Sequence, residues 1–149
     1  MEFRTRKVVK PGDLNPMNAL FGGRLLEWVD EECFIYCGCQ LKHTRLVTKF
    51  ISEINFASPA HQNDVVEIGV ETVSVGRTSI TVRCEVRNRD SREMILAIDK
   101  IVFVALNSKG KPTMHKMARE EQELRRPNWA NARWPRWLNR NKPLSEETA

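Results

Sequence analysis

The stretch Pro11-Gly12-Asp13-Leu14-Asn15-Pro16-Met17-Asn18-Ala19-Leu20-Phe21-Gly22-Gly23 runs directly into Arg24 to Leu41, a long segment with helical patterning and no proline. It reads as a loop that launches a helix. The N–H groups of a first helical turn have no partner within the helix. The paired glycines Gly22 and Gly23 leave these groups uncovered, so they can bind a developing negative charge.

At about 100° per residue, Asp30 shares a side with Leu26, Cys33, Phe34 and Cys37, while Arg24, Glu27 and Glu31 cluster further round. A solvated strip that narrow predicts a helix wrapped by other structure, with Asp30 as a carboxylate on the apolar side. A carboxylate so placed needs a partner or a task. Asn15, held in an irregular loop by Pro11, Gly12 and Pro16, is the nearest candidate in sequence.

Working outward, Phe3 to Lys10 alternates weakly and reads as a strand ended by Pro11-Gly12. Leu46 to Phe56 reads as a second strand by length and composition. Val65 to Val75 places Val66, Ile68, Val70 and Thr72 on one face and Glu67 and Glu71 on the other, the pattern of a half-buried strand. Gly76-Arg77 turns the chain into Thr78 to Arg87, where Ile80, Val82, Cys84 and Val86 alternate with polar residues, so the two segments form a hairpin. Met94 to Asn107 is a last long strand, apolar on both faces except at Asp99 and Lys100.

Strands of about eleven residues span on the order of 36 Å, and the helix spans on the order of 28 Å. One helix can therefore lie along a curved antiparallel sheet. Strands flanking a single early helix predict an α+β domain rather than βαβ units.

The chain has 149 residues and a formal charge of +5. That length suits one domain, able to bury roughly two-thirds of its unfolded surface without staples. The charge favours an anionic partner without choosing among nucleic acid, a phosphorylated cofactor and simple solubility. Of the four cysteines, Cys33, Cys37 and Cys39 lie in the expected helix with spacing that suits neither zinc nor iron–sulfur ligation. Buried, reduced thiols are the expectation. With Met1 to Lys10 lacking an apolar run, neither a signal peptide nor a membrane span is expected, and the cytoplasm is the expected compartment. His43, His61 and His115 fall among loops and are read as surface residues. They build no metal site or Ser-His-Asp triad, and a Gly-x-Ser-x-Gly elbow is absent.

Beyond Thr113 the character changes. Ala118 to Arg126 is compatible with a short helix. Pro127 to Pro143 is rich in arginine and asparagine and carries Trp129, Trp134 and Trp137. A clamp onto the domain, a subunit contact and an RNA-stacking platform all fit this tail, with packing against protein ranked first.

Asn15-Pro16-Met17-Asn18-Ala19-Leu20-Phe21-Gly22-Gly23, Asp30-Glu31, Val47-Thr48, Phe56-Ala57-Ser58-Pro59, Asp64-Val65-Val66-Glu67 and Val75-Gly76-Arg77-Thr78-Ser79 occur in that order. In this the chain resembles the hotdog-fold acyl-CoA thioesterases, in particular the group of bacterial broad-specificity acyl-CoA hydrolases and the brain acyl-CoA hydrolase. The resemblance implies a hotdog domain over residues 1–112; the Arg/Trp-rich extension over 113–149 has no counterpart in it. The resemblance also implies protomers that pair their sheets edge to edge, active sites at the dimer interface and frequent assembly as trimers of dimers.

By motif position the resemblance makes Asn15 and Asp30 the catalytic pair, Asn15 coming from the partner subunit. Asp30 would serve as general base or nucleophile, with the Gly22 and Gly23 amides binding the oxyanion. Gly76, Arg77, Thr78 and Ser79 would lie near the nucleotide and pantetheine of coenzyme A, and Phe21 and Phe56 beside the acyl chain. No cofactor is implied, coenzyme A being part of substrate and product. Position 18 is asparagine where many relatives carry glycine. A non-catalytic acyl-CoA sensor on the same fold and an RNA-associated protein are the competing classes. The Asp30 carboxylate argues against the sensor.

Overall fold

A computed structural model describes residues 1–124, so the tail tryptophans lie outside the described residues. The elements in chain order are β1 (Phe3–Val8), a single 3-10 turn (Pro11–Asp13), α1 (Gly22–Leu41), β2 (Leu46–Ile51), β3 (Ile54–Phe56), β4 (Val65–Val75), β5 (Ser79–Asn88), β6 (Met94–Ala105) and α2 (Lys116–Leu124). The six strands form one antiparallel sheet in the order β1-β4-β5-β6-β2, with β3 also paired to β6. The expected α+β arrangement of one long helix against a single sheet is present.

The buried residues of α1 include Leu25, Val29, Cys33, Cys37 and Leu41, a row in which each residue lies four after the last. Such a row stays on one side of a helix. It packs with Val66, Ile68 and Val70 of β4, Ile80, Val82, Cys84 and Val86 of β5, and Leu96, Ile98, Ile101 and Phe103 of β6. Tyr36 adds a polar tether. Its hydroxyl accepts the Thr72 N–H at 3.1 Å and lies 3.0 Å from Thr72 Oγ1, beside the irregularity between Thr72 and Ser74.

Several expectations are corrected. The helix begins at Gly22, so both glycines belong to its first turn. Leu46 to Phe56 is two strands, because Ser52 leaves the ladder: its N–H donates to Lys100 O at 2.8 Å and its Oγ accepts the Lys100 N–H at 3.1 Å. Asp99 and Lys100, the polar pair in an otherwise apolar strand, sit at this interruption. Of the four thiols, Cys33, Cys37 and Cys84 are buried and free, but Cys39 is exposed. Contact with Cys84 and burial push the Cys33 thiol far up, and burial takes Cys37 up to about 12.

Glu67 faces away from α1, as its alternation predicts, yet it is only 2% exposed. Arg6 Nε donates to its Oε1 at 2.9 Å, and Arg87 Nε to its Oε2 at 3.0 Å. Arg92 Nη1 reaches the same Oε2 at 3.4 Å. The carboxylate thus ties β1 to β5 across β4, while Phe3 lies under the Arg87 guanidinium with its ring centre 3.7 Å away. The hydrogen bond from Arg6, followed by that from Arg87, holds the Glu67 carboxyl below its ordinary value against the opposing effect of burial. A depressed carboxyl contributes stability above the unfolded-state value and loses it as pH falls through the folded-state value. Urea unfolding from pH 7 down to pH 3 should therefore show a falling midpoint, and Glu67→Gln should flatten that fall while lowering the midpoint at pH 7.

Candidate active site

The loop between β1 and α1 is tied at nearly every residue. Asp13 Oδ2 accepts the Lys10 N–H at 2.9 Å, Asp13 O accepts the Phe21 N–H at 2.9 Å, and Arg24 pairs with Asp13 at 3.3 Å. The Leu20 N–H donates to Ala60 O at 2.8 Å, fastening the loop to the segment before β4. Asn15 organises the tip: its Oδ1 accepts the N–H groups of Met17 at 2.9 Å and Ala19 at 3.1 Å, and its own N–H donates to Ala19 O at 2.7 Å. With Oδ1 committed to the loop, the amide group is oriented, and Nδ2 has no partner among the described residues. The turn-residue role of Asn15 and a donor role are thus compatible.

Asn18 occupies this tip with φ 57°. Glycine and asparagine are the residues that enter the left-handed region at least cost, so asparagine at position 18 suits this backbone path.

The start of α1 lacks a side-chain cap. Phe21 occupies the N-cap position with no side-chain hydrogen bond, and the first bond on the helix is Leu25 N–H to Phe21 O at 3.0 Å. Asn15, Gly22 and Phe56 line a cavity of about 300 Å³ whose apolar walls include Leu20, Leu25 and Ile95. Phe56 lies directly over the helix start: a Cβ at Gly22 would come within 3.2 Å of its ring, whereas Gly23 has open space at that point.

Asp30 lines neither this cavity nor the one beside Arg77. Contrary to the helical-wheel expectation it is exposed, as is Phe34 one turn along, because the buried row falls on the neighbouring face. One of its oxygens is held, since Thr48 Oγ1 donates to Asp30 Oδ1 at 2.7 Å. Thr48 is the residue that sequence reasoning missed. Its place in the Val47-Thr48 pair, on the alternate face of a strand that had to pass α1, was the available signal.

The remaining candidates lie at the other end of the sheet. Gly76 to Ser79 form the β4–β5 turn, closed by Gly76 N–H to Ser79 O at 2.8 Å. A Cβ at Gly76 would fall 2.9 Å from Ser79 Oγ, a contact that rotation of the Ser79 side chain relieves. Arg77 is exposed and makes no ion pair among the described residues. Gly76 and Arg77 line a second cavity, about 480 Å³, together with Met114, His115, Met117 and Ala118. His115 corrects the sequence reading: it is buried, with 0% exposure. No group of three or more His, Cys, Asp or Glu able to hold a metal occurs among the described residues, and no described helix is long and apolar enough to cross a membrane.

An antiparallel sheet laid along one long helix, with a polar loop presenting Asn15 at the helix start, defines a hotdog-fold protein. Residues 17–95 match the family model described as thioesterase superfamily, and the chain belongs to that family. It is 33% identical over 116 residues to an uncharacterized acyl-CoA thioester hydrolase of Bacillus subtilis, a match covering 71% of this chain and 66% of that one. It is 32% identical over 81 residues to an uncharacterized acyl-CoA thioester hydrolase of Haemophilus influenzae, covering 54% and 52% of the two chains. The matches thus span about two-thirds and about half of those relatives. Among solved structures, a hexameric thioesterase from Yersinia pestis superposes with a TM-score of 0.71 at 26% identity, over 76% of this chain and 94% of that one. The resemblance drawn from the ordered motifs holds for family and fold.

The loop geometry sets one expectation. Asn18→Gly should leave the urea midpoint nearly unchanged. Asn18→Val, which places a branched side chain at positive φ, should destabilise the fold by about 1–2 kcal/mol.

Proposed function

We propose that the chain is an acyl-CoA thioesterase, hydrolysing fatty acyl-CoA thioesters to free acid and coenzyme A. The observation that carries this reading is the convergence, in one apolar-walled cavity, of the unpartnered Asn15 amide donor and the uncapped start of α1. An acyl group finds apolar walls there, and a carbonyl oxygen finds N–H donors that need not rearrange as charge develops.

Asp30 completes the site across a subunit boundary. In one protomer it lies apart from the Asn15 cavity and near apolar side chains left open to solvent: Phe34 one turn along α1, and Phe50 and Ile51 on β2 beyond Thr48. A second copy covering that face brings its Asn15 loop toward this Asp30. The hexameric Yersinia neighbour supports a homo-oligomer, which we read as dimers with interface sites, assembled as a trimer of dimers.

Catalysis then follows from the groups present. As general base, Asp30 takes a proton from water while the water oxygen attacks the thioester carbon. Asn15 Nδ2 and the Gly22 and Gly23 N–H groups hold the oxyanion. The C–S bond breaks, the sulfur takes a proton, and acid and thiol leave. In the nucleophilic variant the Asp30 carboxylate attacks first, thiolate leaves, and water cleaves the resulting anhydride at the Asp30 side-chain carbonyl carbon, so that an original Asp30 oxygen departs in the acid. Single turnover in ¹⁸O water separates the two, because only the second labels Asp30. Thr48 holds Asp30 Oδ1 and leaves Oδ2 for either task. Phe56 and Phe21 border the acyl chain, and Arg77 with Gly76, Thr78 and Ser79 docks the nucleotide and pantetheine of coenzyme A.

Coenzyme A release from acetyl- to palmitoyl-CoA tests the reading directly. Asp30→Asn and Asn15→Ala should each lower kcat by about 100-fold or more in folded protein. Mixing the two variants should restore about a quarter of native activity, since half the dimers are mixed and each carries one intact site. Retained turnover in both single variants overturns the catalytic assignment, and no recovery on mixing overturns the shared site.

A further inference from the structure

The carbonyl groups of the β4–β5 turn are all spoken for. Ser79 O accepts the Gly76 N–H at 2.8 Å and Thr78 O accepts the Ala105 N–H at 2.7 Å. The other two are held by one residue. His115 Nε2 lies 2.6 Å from Gly76 O, and the His115 N–H donates to Arg77 O at 3.2 Å. The Ala118 N–H donates to His115 Nδ1 at 3.1 Å. Because a backbone N–H only donates, Nδ1 must present its lone pair, which places the ring proton on Nε2 and directs it at Gly76 O.

His115 therefore does two things at once. It caps α2 through Nδ1, and it clamps the turn through Nε2 and its own backbone. α2 is separately docked to the end of α1 by Lys42 Nζ and Glu120 Oε2, 2.9 Å apart. The result is a turn whose backbone cannot drift while the Arg77 side chain stays free to meet a ligand. The cavity it borders, about 480 Å³, is also lined by Met114, Met117 and Glu121. With Glu121 in that lining, Arg77 and Glu121 together add no net charge, so an anion is favoured only close to the guanidinium and the position of Arg77 decides docking.

We propose that His115 is a positioning residue for the nucleotide end of coenzyme A, acting by clamping the Gly76–Arg77 turn against α2. The assignment rests on the thioesterase reading with Arg77 at the nucleotide, and it concerns a residue outside the motifs that carried that reading.

The test compares acyl-CoA with the matching acyl-pantetheine, which lacks the nucleotide. His115→Asn keeps an oxygen able to cap α2 but is too short to reach Gly76 O. It should raise KM for acyl-CoA by about five- to tenfold, with kcat and the KM for acyl-pantetheine unchanged. His115→Gln, which extends an amide donor toward Gly76 O, should recover most of the difference. In an Arg77→Ala background, His115→Asn should add no further rise.

An unchanged KM for acyl-CoA, or equal losses with both substrates, overturns the proposal and leaves the thioesterase reading standing. If native protein hydrolyses neither substrate, the thioesterase reading fails instead. The same comparison is then made by calorimetry with coenzyme A and pantetheine, where a selective loss of coenzyme A binding in His115→Asn supports the clamp and equal binding refutes it.

Discussion

One row of side chains on α1, Leu25, Val29, Cys33, Cys37 and Leu41, has to be covered by a single sheet, and the sheet is built to that requirement. A helix of this length spans about 30 Å, which strands of ten to twelve residues match. The middle of the row is small. Cys33 meets Cys84 of β5, so the central strand can approach the helix closely, while larger groups such as Leu41, Ile68 and Phe103 contribute elsewhere in the core. The cysteines here are packing atoms, and burial removes their nucleophilic character.

Fixing α1 against the sheet also fixes what happens at its ends. At the start, Phe21 and two glycines leave backbone donors uncovered beside Asn15. At the finish, Lys42 turns out of the helix with φ 51° and its N–H returns to Gly38 O. Lys42 then meets α2 through Glu120. The same rigid rod therefore orients both cavities, the one bounded by Phe56 and the one bounded by Arg77.

Strand existence, the β4–β5 hairpin and the loop-to-helix junction were legible because each rests on local pattern: alternation at Ile80 to Val86, glycine at position 76, and Asn15 between prolines. What escaped depended on distant chain. Leu46 to Phe56 reads as one strand until Ser52 is seen bonding to Lys100. Glu67 looks solvated until Arg6, Arg87 and Arg92, drawn from three other parts of the chain, close over it. His115 looks like a loop residue because its partner, the Gly76 carbonyl, lies 39 positions earlier. Asp30 illustrates a different limit. A helical wheel assigns a side by averaging, and an i, i+4 row only slightly displaced from that average is enough to turn a carboxylate from the core to the edge.

The order of contacts along the chain has a kinetic consequence. β4, β5 and β6 are consecutive and pair with their sequence neighbours, so the loops that must close to form them are short. β1 pairs with β4 across some sixty residues, and the Asn15 loop is fastened only when Leu20 reaches Ala60. Short closures precede long ones when a chain collapses. The central meander is thus built from the shortest closures in the sheet, whereas the Asn15 loop is anchored through Leu20 and Ala60, forty positions apart, and belongs with the longer closures.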